Sequence, residues 1–274
     1  MSDYIFIGIA WPYANGRLHL GRVVGALLPA DIFARYHRLQ GNHVLAVTGS
    51  DAHGTPITIA ADKAGVSPKT YFEGIHQQFL SSQLDLGISY DLFTHTDTEN
   101  HHRVAQDLFC KLYEKGFIAP KTQNLFYSES EQRFLPDRYV EGTCPHCGFG
   151  KARGDQCDEC GHLLDPTELI KPRSTRDGST PTVRESEQLF FDLGAFSEQL
   201  LTYLDSHAHH WRTNPLNFTR GLIEQGLKQR PFTRDLDWGI SAPIPGWEHK
   251  KLYIWAENII GYLSAAIEWS HLQG

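Results

Sequence analysis

The stretch YIFIGIAWPYANGRLHLGR, residues 4–22, decides the fold class, because an apolar run gives way to a turn-rich loop and then to a helical pattern. Residues 4–9 are apolar and rich in isoleucine, which is typical of a buried strand. Proline, asparagine and glycine at residues 10–16 predict a loop. Apolar side chains then recur at helical spacing from Leu18 to about Gln40.

The same order of elements repeats downstream. Ser67 and Pro68 have the residue types of a helix cap followed by a first helical residue. Alternating strands and helices predict an α/β fold with a doubly wound parallel (Rossmann-like) sheet, whose loops after the strands form the ligand-binding edge. The other predicted elements are a strand at residues 43–48, a polar loop at 49–56, and helices from 67 to about 86 and from 99 to 115.

The composition favours a folded protein outside the membrane. Of the 274 residues 41% are hydrophobic, which is enough for a sizeable core, and no run of 18 apolar residues could span a bilayer. The first residues contain no signal-peptide pattern, so we expect a cytoplasmic protein. The net charge of −7 gives no support for tight RNA binding by this chain alone.

A change of pattern near residue 117 divides the chain. Short apolar segments alternate with polar turns, which predicts an inserted domain over residues 116–231. Residues 1–115 would form the first half of the nucleotide-binding domain and residues 232–274 the start of its second half. Within that last segment we predict a strand at residues 252–256 and a helix at 259–271.

Four cysteines of the insertion form two Cys-x-x-Cys pairs within residues 143–162. Each pair is followed by a glycine that lets the backbone curl around the sulfurs. Four thiolates complete a tetrahedral shell and predict a structural zinc site, the alternative being four thiols without metal. The predicted ligands are Cys144, Cys147, Cys157 and Cys160, whereas Cys110 is predicted to be a core residue.

His19, Gly21 and Arg22 open the first helix. Unpaired N–H groups and partial positive charge at a helix N-terminus attract phosphate, and an imidazole and a guanidinium there would add donors. Gly21 would let a nucleotide approach the backbone. Taken alone, the segment is more typical of a helix start with an exposed histidine and arginine.

Residues 10–21, AWPYANGRLHLG, resemble the signature of the class I aminoacyl-tRNA synthetases, and of their methionyl family in particular, whose signature ends His-x-Gly-His. The cysteine pairs also resemble that family, and the resemblance covers nearly the whole chain. The other matching segments are LPADIFAR (28–35), GSDAHGTP (49–56), FLPDR (134–138), EQLFFDL (187–193), RDLDWGI (234–240), YIW (253–255) and IGY (260–262).

The resemblance implies an enzyme that activates methionine with ATP and Mg²⁺ and, at full length, transfers it to tRNA(Met). It assigns His19 and Arg22 to catalysis and, with Gly21, to ATP binding, and it assigns Asp51 to the α-ammonium of methionine. It also implies an amino-acid pocket formed with Trp11, Tyr13, Trp255, Asn258, Ile259 and Tyr262. Judged from spacing alone, these aromatic residues would be assigned to the core.

Three departures from the family pattern leave alternatives open. Arg22 stands where the family has histidine, and Asn258 lies where an Asp-Ala-Pro segment is usual. The Lys-Met-Ser-Lys-Ser loop of the family does not occur in these residues, so the chain alone is expected to lack part of the ATP clamp. The alternatives are a related protein that activates another amino acid, or a non-catalytic binding protein.

Two histidine features complete the predictions. His53 is expected to lie at the rim of the active site. The pair His101 and His102 is interpreted as a solvated helix end, with a second metal site as the alternative.

Overall fold

A computed structural model describes residues 2–154, 156–162 and 164–274 of the chain. It divides into two compact units, the first formed by residues 1–107 and 236–274 and the second by residues 108–235. The sequence-based limits of the insertion, 116 and 231, fall inside the second unit. The domain roles assigned to these segments stay a prediction.

The first unit contains a three-stranded parallel sheet in the order β1-β2-β3. Its strands are β1 (Tyr4–Gly8), β2 (His43–Ser50) and β3 (Leu92–His95). Both strand pairs are parallel, with Ile7 opposite Ala46 and Thr48 opposite Phe93. The parallel α/β fold expected from the sequence is confirmed.

The prediction of a buried first strand is wrong. Tyr4 is 86% exposed and Phe6 is 52% exposed, and burial alternates along β1. Ile5 and Ile7 are half-buried and alternate with the exposed residues, so only one face of the strand packs against the unit. A continuous apolar run therefore did not require burial on both faces.

A long helical segment follows β1 and contains a wider turn. It consists of α1 (Leu20–Arg22), a π-helical turn (Val23–Leu27) and α2 (Leu28–Leu39). Pro29 lies at the start of α2 and has no N–H to donate to the preceding turn. The break in the regular hydrogen-bond ladder at the π turn is consistent with this missing donor.

Three more helices belong to this part of the chain. Ser67 caps α4 by accepting a hydrogen bond from the Thr70 backbone N–H, as the sequence predicted. The helices are α3 (Thr55–Ala64), α4 (Pro68–Asp85) and α5 (Glu99–Glu114). Buried residues that include Ile57, Phe72 and Phe79 form a core cluster under the loop that follows β2.

The second unit is mostly antiparallel sheet. β4 (Ile118–Ser128) and β9 (Thr182–Phe191) pair over ten residue positions in a four-stranded sheet of order β10-β9-β4-β5. A smaller sheet of order β7-β6-β8 carries the cysteine pairs. The remaining elements are β5 (Arg133–Phe134), β6 (Val140–Thr143), β7 (Ala152–Arg153), β8 (Ile170–Ser174), α6 (Ser197–His207), α7 (Thr213–Glu224), β10 (Arg230–Pro231) and β11 (Thr233–Arg234).

The chain then returns to the first unit, where the predicted strand at residues 252–256 is wrong. Only Lys251–Leu252 forms a strand, β12, and it is followed by α8 (Ile254–Glu257), a 3₁₀ turn (Asn258–Ile260) and α9 (Gly261–Gln273). A short apolar run does not distinguish a strand from a buried helix. In the described part of the chain, no helix is both long and apolar enough to cross a bilayer.

Candidate functional site

The loops that follow β1 and β2 are joined by backbone hydrogen bonds at the carboxyl edge of the sheet. The Asp51 N–H donates to the Pro12 carbonyl at 3.0 Å, and the Ala14 N–H donates to the Asp51 carbonyl at 3.0 Å. Tyr13 and Asp51 thereby form an isolated parallel bridge beyond the end of the strands. These bonds fix the Asp51 side chain at the edge where parallel α/β sheets bind ligands.

Gly54 permits the close packing of this loop. Its φ of 98° lies in the region that favours glycine, and a Cβ there would come within 2.6 Å of Tyr13 Oη and 2.8 Å of Ile254 Cδ1. Any larger side chain would push the loop away from both neighbours. The absence of a side chain at Gly54 therefore allows Tyr13 and Ile254 to pack against this loop.

Two of the predicted pocket aromatics are in contact. The rings of Trp11 and Tyr262 lie 6.1 Å apart in an edge-on arrangement. Gly261 leaves room for the indole, since a Cβ at this position would be 3.2 Å from the ring of Trp11. Trp255 and Ile259, also predicted to line the pocket, are 65% and 63% exposed.

Asp51 is a buried carboxylate, and one of its two oxygens has no hydrogen-bond partner. It is 5% exposed, and Asn258 Nδ2 donates to its Oδ2 at 3.0 Å. Asp51 Oδ1 and Asn258 Oδ1 are both buried without a hydrogen-bond partner. Burial, and then the negative charge of Glu257, raise the pKa of Asp51 to about 7.

A buried charge network, which the sequence analysis missed, lies beside Asp51. Glu257 is 1% exposed, and its two carboxylate oxygens bond to His53 Nδ1 at 3.0 Å and to His101 Nε2 at 2.8 Å. His101 Nδ1 lies 2.8 Å from Ser264 Oγ. The sequence feature that could have indicated the network is Glu257, an acidic residue inside the apolar segment at residues 252–262.

The network overturns two sequence-based interpretations. His53 is 2% exposed, so it is buried and does not form the rim of the site. His101 is 1% exposed, so it is not part of a solvated helix end. A buried imidazole needs a hydrogen-bond partner for each ring nitrogen. For both histidines one of these partners is Glu257, which is distant in the sequence.

Asp97 extends the network to His102. Asp97 Oδ1 lies 3.3 Å from His53 Nε2 and 3.2 Å from His102 Nε2. These three atoms are within 4.8 Å of one another, a spacing that a metal ion could also use. Burial alone would lower the pKa of His53, but Glu257 and Asp97 outweigh it and raise that pKa to about 9.

The predicted nucleotide residues lie at the start of the long helical segment. His19 is the N-cap of α1 and is exposed, and its imidazole lies 3.1 Å from the position that a Cβ on Gly21 would occupy. Arg22 Nη1 donates to the Tyr13 carbonyl at 2.9 Å. Arg22 therefore links the helix to the loop that contacts Asp51.

The four cysteines of the second unit converge as predicted. The sulfurs of Cys144 and Cys160 are 3.9 Å apart, those of Cys147 and Cys157 are 3.6 Å apart, and all four lie within 4.8 Å of one another. Tetrahedral zinc with Zn–S bonds of about 2.3 Å requires sulfur separations of about 3.8 Å. The cysteine cluster thus fits a zinc ion and is too open for disulfide bonds.

Comparison with known proteins shows which family the chain resembles. The family model for class I (M) tRNA synthetases matches residues 5–274. The whole chain is 59% identical to the methionine–tRNA ligase of Thermomicrobium roseum and 54% identical to that of Dehalococcoides mccartyi. It covers 47% and 49% of those two proteins, so the chain spans about half the length of the curated relatives it matches.

The fold is shared with solved structures. A methionyl-tRNA synthetase of Mycobacterium tuberculosis in complex with methionyl-adenylate matches with a TM-score of 0.70 and 24% sequence identity. The match covers 97% of this chain and 47% of that structure. At this level of identity the likeness supports the fold and leaves residue roles to be argued from the geometry.

Proposed function

Because the chain belongs to the class I (M) tRNA synthetases, we propose that it forms the amino-acid and nucleotide site of an enzyme that activates methionine with ATP. In that reaction a carboxylate oxygen of methionine attacks the α-phosphorus of Mg²⁺-bound ATP, and pyrophosphate leaves. The product is methionyl-adenylate. The full-length enzyme would then transfer the methionyl group to the terminal ribose of tRNA(Met).

The observation that carries the proposal is the unpartnered Oδ1 of Asp51, a buried carboxylate at the ligand-binding edge of a parallel sheet. An unpaired buried acceptor of this kind is costly, so the site favours a ligand that supplies a charged donor. The α-ammonium of an amino acid supplies one. Asp51 would hold it as a carboxylate.

The apolar part of the pocket would recognise the side chain of methionine. Trp11 and Tyr262 meet edge-on, and a thioether makes favourable contacts with aromatic rings. Tyr13 is on the loop bonded to Asp51, and the exposed Trp255 and Ile259 would cover the ligand from the solvent side.

His19, Gly21 and Arg22 would bind ATP. The exposed imidazole of His19 lies at a helix start, where partial positive charge favours phosphate. Arg22 carries a fixed positive charge, and its bond to the Tyr13 carbonyl would set the distance between the phosphate site and the amino-acid site. Both groups would stabilise negative charge that develops on the α-phosphate.

We also propose that the four cysteines bind one structural Zn²⁺. The sulfur separations match tetrahedral coordination, and four thiolate ligands leave no open position for chemistry. The ion would join the turn that follows β6 to the turn that follows β7. Cysteines that form no disulfide bond are typical of the cytoplasm, where we propose that the protein is located.

The experiment is amino-acid-dependent exchange between ATP and labelled pyrophosphate, measured on the zinc-loaded chain with each amino acid in turn. We expect methionine to give the fastest exchange and Asp51→Asn to abolish it. Faster exchange with another amino acid would favour the first alternative, a different substrate. Absence of exchange together with absence of ATP and methionine binding would favour the second, a non-catalytic protein.

A further inference from the structure

Two oxygens in the pocket have no partner, and they belong to side chains that are bonded to each other. Asn258 Nδ2 donates to Asp51 Oδ2, which leaves Asn258 Oδ1 and Asp51 Oδ1 as buried, unused acceptors. In each side chain, the unused oxygen is attached to the same carbon, Cγ, as the atom that takes part in the hydrogen bond. The two acceptors are therefore part of one small cluster, which the rest of the pocket does not satisfy.

The hydrogen bond also fixes which end of the Asn258 amide faces outward. An ionised carboxylate only accepts hydrogen bonds, so the NH₂ group must face Asp51 and the oxygen must point elsewhere. Rotating the amide by half a turn would put two oxygens against each other. The bond to Asp51 thus presents Asn258 Oδ1 as an acceptor.

We propose that Asn258 is a specificity-determining residue, and that Asn258 Oδ1 and Asp51 Oδ1 together bind the α-ammonium group and discriminate against α-hydroxy acids. The inference rests on the proposed function, in that it takes the ligand to be an amino acid. An ammonium group has three N–H donors and satisfies both oxygens. A hydroxyl group has one donor and leaves a buried oxygen unpaired.

This role is specific to the residue at position 258. An alanine at this position would supply neither the donor to Asp51 nor the second acceptor. The carboxylate would then hold the ammonium alone. Asn258 therefore adds recognition of the ammonium group and leaves the recognition of the thioether to the aromatic residues.

The test compares two ligands on three proteins. The ligands are L-methionine and its α-hydroxy analogue, 2-hydroxy-4-(methylthio)butanoate, and the dissociation constants are measured by calorimetry at pH 8.5, where Asp51 is ionised. The proteins are the unmodified chain, Asn258→Ala and Asn258→Leu, the last of which keeps much of the side-chain volume without polar atoms. Asn42→Ala, which removes an amide with two hydrogen bonds at the start of β2, is the control.

We expect the unmodified chain to prefer methionine by a factor on the order of 100, and both Asn258 variants to lose about tenfold of that preference. The hydroxy analogue should bind the variants nearly as it binds the unmodified chain, and Asn42→Ala should keep the full preference. An unchanged preference in both Asn258 variants would refute the role of Asn258 while leaving the proposed function intact. If the unmodified chain fails to bind methionine, both proposals fall.

Discussion

Replacing Glu257 with glutamine tests whether the buried network is held by charge. Glu257 is almost fully buried and bonds to both His53 and His101, so the substitution keeps the shape and removes the negative charge. His53 has its pKa raised from 6.5 to about 9, because Glu257 and Asp97 outweigh the effect of burial. The variant should therefore lose most of the stabilisation of the His53 imidazolium.

The size and pH dependence of this loss follow from the pKa of His53. A tenfold change in proton affinity is worth about 1.4 kcal/mol, so the rise from 6.5 to about 9 corresponds to about 3 kcal/mol. A raised pKa stabilises the folded state fully below pH 6.5, and this contribution disappears as the pH rises through 9. Asp97 remains in the variant, so we expect Glu257→Gln to lower the free energy of unfolding by about 2 to 3 kcal/mol at pH 6, but by only about 1 kcal/mol at pH 10.

Urea unfolding followed by tryptophan fluorescence at pH 6, 8 and 10 measures this difference. Five of the six tryptophans lie in the first unit, so the signal reports on the unit that contains the network. Glu268→Gln is the matched control, since Glu268 accepts hydrogen bonds from Thr94 and touches no histidine of the network. A loss for Glu257→Gln that is the same at every pH would refute the ionic account.

Three further predictions concern the pocket, the cysteine cluster and the loop. Methionine affinity should fall about tenfold per pH unit below pH 7, because the pKa of Asp51 is raised to about 7 and only its carboxylate form binds an ammonium group. Calorimetry that gives the same affinity from pH 5.5 to 8.5 would exclude this role of Asp51. Atomic absorption should find one zinc per chain and its loss in Cys147→Ser, with Cys110→Ser as a control that retains the metal. Gly54→Ala should destabilise the first unit by roughly 2 kcal/mol or more in urea unfolding, because the added Cβ would overlap Tyr13. The control is Gly74→Ala in α4, which has open space around it and should be neutral or slightly stabilising.

Local features of the sequence predicted the parallel strands and most helix limits. The cap at Ser67, the strand at residues 43–48 and the helix from Glu99 were recognisable because each depends on residues close together in the chain. The four cysteines were recognisable for the same reason, since two short turns supply all the ligands. The burial of β1 was not recognisable, because it depends on whether other elements cover each face of the strand.

The buried network could not be predicted from local pattern. Glu257 is more than 150 residues from both of its histidine partners, so no spacing rule connects them. The helical state of residues 254–257 was missed because the run is too short to show a period. Asn258 was noticed as unusual, but its partner Asp51 became evident only when α8 and the loop after β2 were placed together.

The most direct measurement is calorimetric titration of the zinc-loaded chain with non-hydrolysable sulfamoyl analogues of methionyl-adenylate and leucyl-adenylate. The account predicts that the methionyl analogue binds more tightly than the leucyl analogue by a factor on the order of 100. It also predicts that Asp51→Asn removes this binding, while Asp85→Asn, at the exposed end of α4, leaves it unchanged. Equal affinity for the two analogues, or full binding by Asp51→Asn, would contradict it.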